Sequence, residues 1–155
     1  MLWTNPAMRH TFIPRTLRFI NFLLYPNSAV TNAASLIAFF AWLEQRAHEV
    51  RRIEEQALHE LERKNTQDYR DEMRRKAELL ASLPKASLPL ISSLPGNAAQ
   101  AIQEGLWRFE RNAGNALSLD SVFYMSALLY PENYRQGDAN DLELFLEELR
   151  TRFQD

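Results

Sequence analysis

The sequence predicts an all-α protein, a helical bundle with one long central helix over about residues 30–82 that extends as a coiled-coil-like arm, followed by shorter C-terminal helices. Three observations carry that expectation. EQRAHEVRR at residues 44–52 recurs as EQALHELER at 55–63, and eleven residues are almost three helical turns, so matching positions return to nearly one face. Two later segments repeat apolar residues at spacings of three and four, as a helix buried on one side does. Four glycines are few for a chain of tight turns, and no stretch alternates apolar and polar residues as a half-buried strand would.

Composition sets the scale. With 155 residues, 46% of them hydrophobic, the chain can bury a core as one domain, or as one domain with a projecting arm. There is no cysteine, which excludes disulfides, thiol chemistry and cysteine-ligated zinc. That fits a reducing compartment, and the cytoplasm is the expectation, with a membrane-associated or organellar setting as the alternative. The net charge of −2 conceals an uneven distribution. Residues 1–43 carry three arginines (Arg9, Arg15, Arg18) and no acid, residues 44–83 carry ten acids and nine bases, and residues 132–155 carry seven acids and three bases. A basic head and an acidic tail can attract each other within a molecule or between neighbours.

Residues 1–14 hold Pro6 and Pro14 without helical periodicity and read as an irregular arm. Residues 15–83 read as an apolar helical hairpin leading into the long helix. The first helix, from Arg15 to Tyr25, is stopped by Pro26, and Ser28 or Thr31 caps the next. Between Phe19 and Leu43 no residue carries a formal charge, a length sufficient to span a bilayer. Asn21, Pro26, Asn27, Thr31 and Asn32 interrupt that run, which suits a hairpin in a protein core at least as well. Beyond Arg63 the long helix becomes polar. Residues 84–96 read as a proline-rich connector, because ASLP, ASLP and SSLP place Pro84, Pro89 and Pro95 in twelve residues and each removes a backbone donor. Residues 97–155 read as helices packing on the first part. One has Ala98, Ile102, Leu106, Phe109 and Ala113 on its face and ends at Gly114-Asn115. A second runs through Val122 to Tyr130. A last, capped by Asp138 or Asn140, buries Leu142, Phe145, Leu146, Leu149 and Phe153.

No glycine-rich phosphate loop, nucleophile elbow or HExxH motif is present, so neither catalysis nor a small-molecule substrate nor a cofactor is expected. Glu44/His48 and Glu55/His59 are the one arrangement with metal-ligand character, but the pairs stand about 16 Å apart along a helix, too far to share an ion. No metal is expected there. Basic pairs such as Arg51-Arg52 and Arg63-Lys64 recur along the helix, yet ten acids in the same segment cancel the positive potential that phosphate binding needs, so no specific nucleic-acid contact is expected.

What remains is a surface for protein. The repeat, extended in both directions, predicts a partner-facing stripe of Leu36, Phe39, Leu43, Ala47, Val50, Leu58, Leu61 and Tyr69. Glu44, Arg52, Glu55 and Arg63 flank it to set register. The expected function is a non-catalytic structural subunit or adaptor that pairs its long helix with itself or with another subunit of an assembly. The alternative is a membrane- or lipid-surface protein anchored through residues 19–43.

Overall fold

The eleven-residue repeat forms one unbroken helix, and the helix stops where the repeat stops. A computed structural model of the chain describes residues 27–154, with side chains from 32 to 153. The irregular arm at 1–14, the apolar helix at 15–25 and the first part of the uncharged run at 19–43 lie outside the described residues. Among the described residues the fold is all-helical, with no strand: α1 (Asn27–Glu62), α2 (Thr66–Ile91), α3 (Gly96–Ser118), α4 (Val122–Ala127) and α5 (Asp141–Gln154). At 36 residues α1 is about 54 Å long, and it starts ahead of the expected caps at Ser28 and Thr31.

The long helix ends at Glu62 rather than near residue 82. Lys64 adopts φ 60°, its N–H donates to the Leu61 carbonyl at 3.0 Å, and the Asn65 N–H donates to the Glu60 carbonyl at 2.9 Å. This paired closure is the Schellman ending of a helix, here with lysine where glycine is usual. Asn65 then restarts the chain as the cap of α2, its side chain accepting from the Asp68 N–H. The result is a helical hairpin in place of a rod.

The expected proline-rich connector at 84–96 is largely helix. Pro84 and Pro89 lie inside α2, which runs to Ile91, and only Pro95 stands at a boundary, as the cap of α3. Each interior proline costs a helical hydrogen bond, about 3 kcal/mol or more in an exposed helix. Burial offsets that cost here, since Leu83, Pro84, Ser87 and Ile91 are all buried. The Ser87 and Ser92 hydroxyls donate to the Pro84 and Pro89 carbonyls at 2.8 and 3.2 Å. The third helix runs four residues past the expected Gly114-Asn115 end, to Ser118.

Side-chain links between helices fix the topology. Ser35 meets Ser93 at 2.8 Å and Glu54 meets Lys76 at 2.8 Å, so α2 runs antiparallel to α1. Arg70 and Arg74 both reach Asp120, which folds the end of α3 back on the start of α2. Arg51 meets Glu143 and Arg150 meets Glu44 at 3.1 Å, which lays α5 antiparallel to α1. Phe145 of α5 packs edge-on to Phe109 of α3, with ring centres 5.7 Å apart. Helices α1, α2, α3 and α5 thus form an up-down-up-down bundle. With 14 residues, about 21 Å, α5 covers only the middle of α1.

The seam of the bundle follows a spacing of seven rather than eleven. Leu43, Val50 and Ala57 are each 0% exposed, and on α2 Met73, Leu80 and Ser87 are buried at the same interval. Seven-residue recurrence is the signature of helices packed nearly side by side in a bundle. The predicted partner stripe is therefore divided. Phe39, Leu43, Ala47 and Val50 are buried against the chain's own helices, and Leu36 and Tyr69 are partly buried against the same core. Only Leu58 (57% exposed) and Leu61 (45%) still face outward. Of the register charges, Glu44 pairs with Arg150 and Arg63 with Glu60 at 3.6 Å, while Arg52 and Glu55 are exposed without an ionic partner among the described residues.

Candidate docking site at the tip of the helical hairpin

The seven-residue seam explains why polar groups enter the core near the hairpin tip. Seven residues past Ala47 stands Glu54, and seven before Leu83 stands Lys76. Both occupy core-facing positions, and they meet there. Lys76 is 0% exposed, and its ammonium lies 2.8 Å from the Glu54 carboxylate, donates to the Ser126 carbonyl at 3.1 Å and sits 5.0 Å over the Tyr130 ring. The Tyr130 hydroxyl donates to the second Glu54 oxygen. Burial pushes the Lys76 ammonium below the usual lysine range, and Glu54 opposes that shift. Burial also raises the Tyr130 hydroxyl, and the Glu54 bond adds to that.

One helical turn away Arg51 forms a second clamp. Its guanidinium donates to both Glu143 oxygens, at 2.9 and 2.5 Å, to the Tyr134 hydroxyl at 3.2 Å and to the Asp138 carbonyl at 3.0 Å. Glu143 also accepts from the Asn140 N–H at 2.8 Å, while the Asn140 side chain accepts from Leu142 and Glu143 N–H groups at 3.0 Å. This is a reciprocal capping box at the start of α5, with its acid shared with Arg51. Burial alone would raise Glu143, but Arg51, the Asn140 N–H and the nearby His48 together hold it below the usual carboxylate range. Both clamps fasten the 128–140 segment across α1 and α2.

Beyond the clamps, toward the tip, α5 no longer lies over α1, and among the described residues α1 is packed there on α2 alone apart from the 126–130 segment. A cavity of about 150 Å³ opens there between α1, α2 and α4, lined by Glu54, Ala57, Leu58, Tyr69, Met73, Ser126 and Tyr130. Leu61, one turn past Leu58, is exposed, and so is Phe123 (73%), one turn before Ser126 on α4. Leu119 and Tyr124 are exposed at the same end of the bundle. A larger groove, about 410 Å³, lies between the end of α3 and the 127–130 segment. Outside the apolar rim, Glu55 and Glu62 flank Leu58 at i−3 and i+4, and neither has an ionic partner among the described residues.

Sequence reasoning found Leu58, Leu61 and Tyr69 of this site and missed Glu54, Lys76, Arg51, Phe123 and Tyr130. Lys76 and Glu54 were readable from the seven-residue spacing; Phe123 was hidden in an apolar run whose helix ends at Ala127. His48 and His59 are exposed, and no group of three or more His, Asp or Glu side chains that could hold a metal ion occurs among the described residues. No helix among them is long and apolar enough to cross a membrane. Comparison of the chain with family models, with curated proteins and with solved structures finds no match.

Proposed function

We propose that this chain is a non-catalytic interaction module, a structural subunit or adaptor of a larger assembly, that docks a partner at the hairpin tip. The observation carrying this reading is a cavity of about 150 Å³, a volume suited to one apolar side chain, lined by the exposed Leu58, with Leu61 and Phe123 exposed one helical turn from its lining residues Leu58 and Ser126. Interfaces concentrate their energy where an anchor side chain fills such a pocket inside a water-excluding rim. The two clamps support the reading by holding the cavity floor rigid in the absence of a partner, which lowers the entropy cost of docking. The Lys76–Glu54 pair supports a structural role over chemistry, because the two groups engage each other and fasten Ser126 and Tyr130.

Asp in place of Leu58 or Phe123 tests this reading. Both side chains are more than half exposed, so folding stability should change by less than about 1 kcal/mol. Burial of each in an interface contributes about 1.5–3 kcal/mol, so each substitution should weaken association tenfold or more. Wild type and variants are used as bait in cells that make the protein, and retained proteins are quantified by mass spectrometry. A set of partners held equally by wild type and both variants would remove the tip as the docking site.

A further inference from the structure

We infer that the tip cleft receives residues 15–25 of a second copy of this chain, joining copies head to tail. The inference rests on the docking reading above and supplies its occupant. Residues 15–25, RTLRFINFLLY, carry Arg15 and Arg18, no acid, and a run of large apolar side chains. The cleft offers the complement: an apolar floor at Leu58, Tyr69 and Met73, with the unpartnered carboxylates of Glu55 and Glu62 beside it. On α1 and α2 the opposite end of the bundle offers no such match. Residues 32–43 and 79–91 contain no acid there, and the one charge among them is Lys85.

Geometry assigns the contact to two molecules. Leu58 stands about 46 Å along α1 from Asn27. Arg15 lies twelve residues before Asn27 and can reach at most about 42 Å from it, even with the chain fully extended, and Leu17 at most about 35 Å. A chain therefore cannot seat this segment in its own cleft. A head entering the tail of the next copy is a heterologous contact, which closes into a ring or continues as an open string.

The test uses the full chain in sedimentation velocity from about 1 to 200 µM, a range that brackets a micromolar contact. Wild type should at least double in weight-average mass across that range, and about 500 mM salt should shift it back toward monomer, because two charge pairs would be screened. Leu58→Asp should be monomeric, as should the double variant Arg15→Glu/Arg18→Glu. An equimolar mixture of these two should yield a one-to-one dimer and nothing larger, since the mixture holds one competent head and one competent cleft. Glu55→Lys/Glu62→Lys, altered only at exposed sites, should be monomeric alone and regain association when mixed with the arginine-reversed chain. Wild type that is monomeric throughout, an arginine-reversed chain that associates like wild type, or a mixture without dimer each overturns the head-to-tail contact. If wild type is monomeric yet loses a foreign partner on Leu58→Asp, the docking reading stands and only this occupant falls.

Discussion

Replacing Lys76 by methionine isolates the buried pair from everything else that holds α1 to α2. Methionine fills a similar volume, so little cavity term arises. Glu54 keeps the Tyr130 hydroxyl but loses the ammonium it is paired with, and the Ser126 carbonyl loses its side-chain donor. Breaking one side of a fully buried pair costs about 3–5 kcal/mol. The side chain of Glu54 is 14% exposed against 1% for Lys76, so water recovers part of the loss and about 3 kcal/mol is expected. With a urea slope of about 2 kcal/mol/M for a chain of this size, the unfolding midpoint should fall by about 1.5 M with the slope unchanged. Removing both charges in Glu54→Leu/Lys76→Met should return stability to within about 2 kcal/mol of wild type, because no uncompensated charge remains. A single variant within about 0.5 kcal/mol of wild type would refute the reasoning, since it would mean that Glu54 is not held in the core.

Three further outcomes follow from local geometry. Lys64→Gly should stabilise the hairpin by about 0.5–1 kcal/mol in thermal or urea unfolding, because Lys64 sits at φ 60° where glycine bears no strain. Gly105→Ala should destabilise by about 1–3 kcal/mol despite the better helix propensity of alanine, because a Cβ there would overlap the edge of the Phe145 ring, and Gly105→Ala/Phe145→Leu should recover most of that loss. Glu143 has a folded-state pKa below its unfolded value, so it contributes stability in full above the ordinary carboxylate range and loses it as pH falls through the lowered value. Glu143→Gln should therefore cost stability at pH 7 and leave a much smaller difference near pH 3, measured as urea midpoints at the two values.

The helical class and two of the core faces were legible because they depend on periodicity alone. Ala98, Ile102, Leu106, Phe109 and Ala113 are all buried, as are Leu142, Phe145, Leu146 and Leu149. The misreadings have particular causes. The turn at Lys64 was invisible because glycine, the usual residue at such an ending, is absent, and a lysine in left-handed conformation leaves no sequence mark. Pro84 and Pro89 were read by local propensity, which the burial of Leu83 and Ile91 overrides. The partner stripe was drawn by elevens because EQ-x-x-HE recurs at eleven. The two spacings drift about 20° in opposite directions on an ideal helix, so they agree near Ala47 and Val50 and part company at Leu58, where the seven-residue seam takes Ala57 instead.

That divergence accounts for the one exposed part of the stripe. Where the partner helix comes from the same chain, the seam by sevens wins, and it draws Ala57 inward and turns Leu58 to the edge. In the middle of α1 the edge is covered by α5, and at Arg51 and Glu54 by Tyr134 and Tyr130. Past Glu54 the covering segment has already turned away, while α1 continues for two further turns to Glu62. An exposed leucine pair at a helix end is unremarkable by itself, since much of any protein surface is apolar. Leu58 differs because it lines a cavity whose wall also holds Glu54 and Tyr130 of the buried clamp, and Leu61 follows it one turn on. The buried Lys76–Glu54 pair is a costly way to hold a loop if holding it is its only consequence, for apolar side chains of the same volume would hold it as well or better.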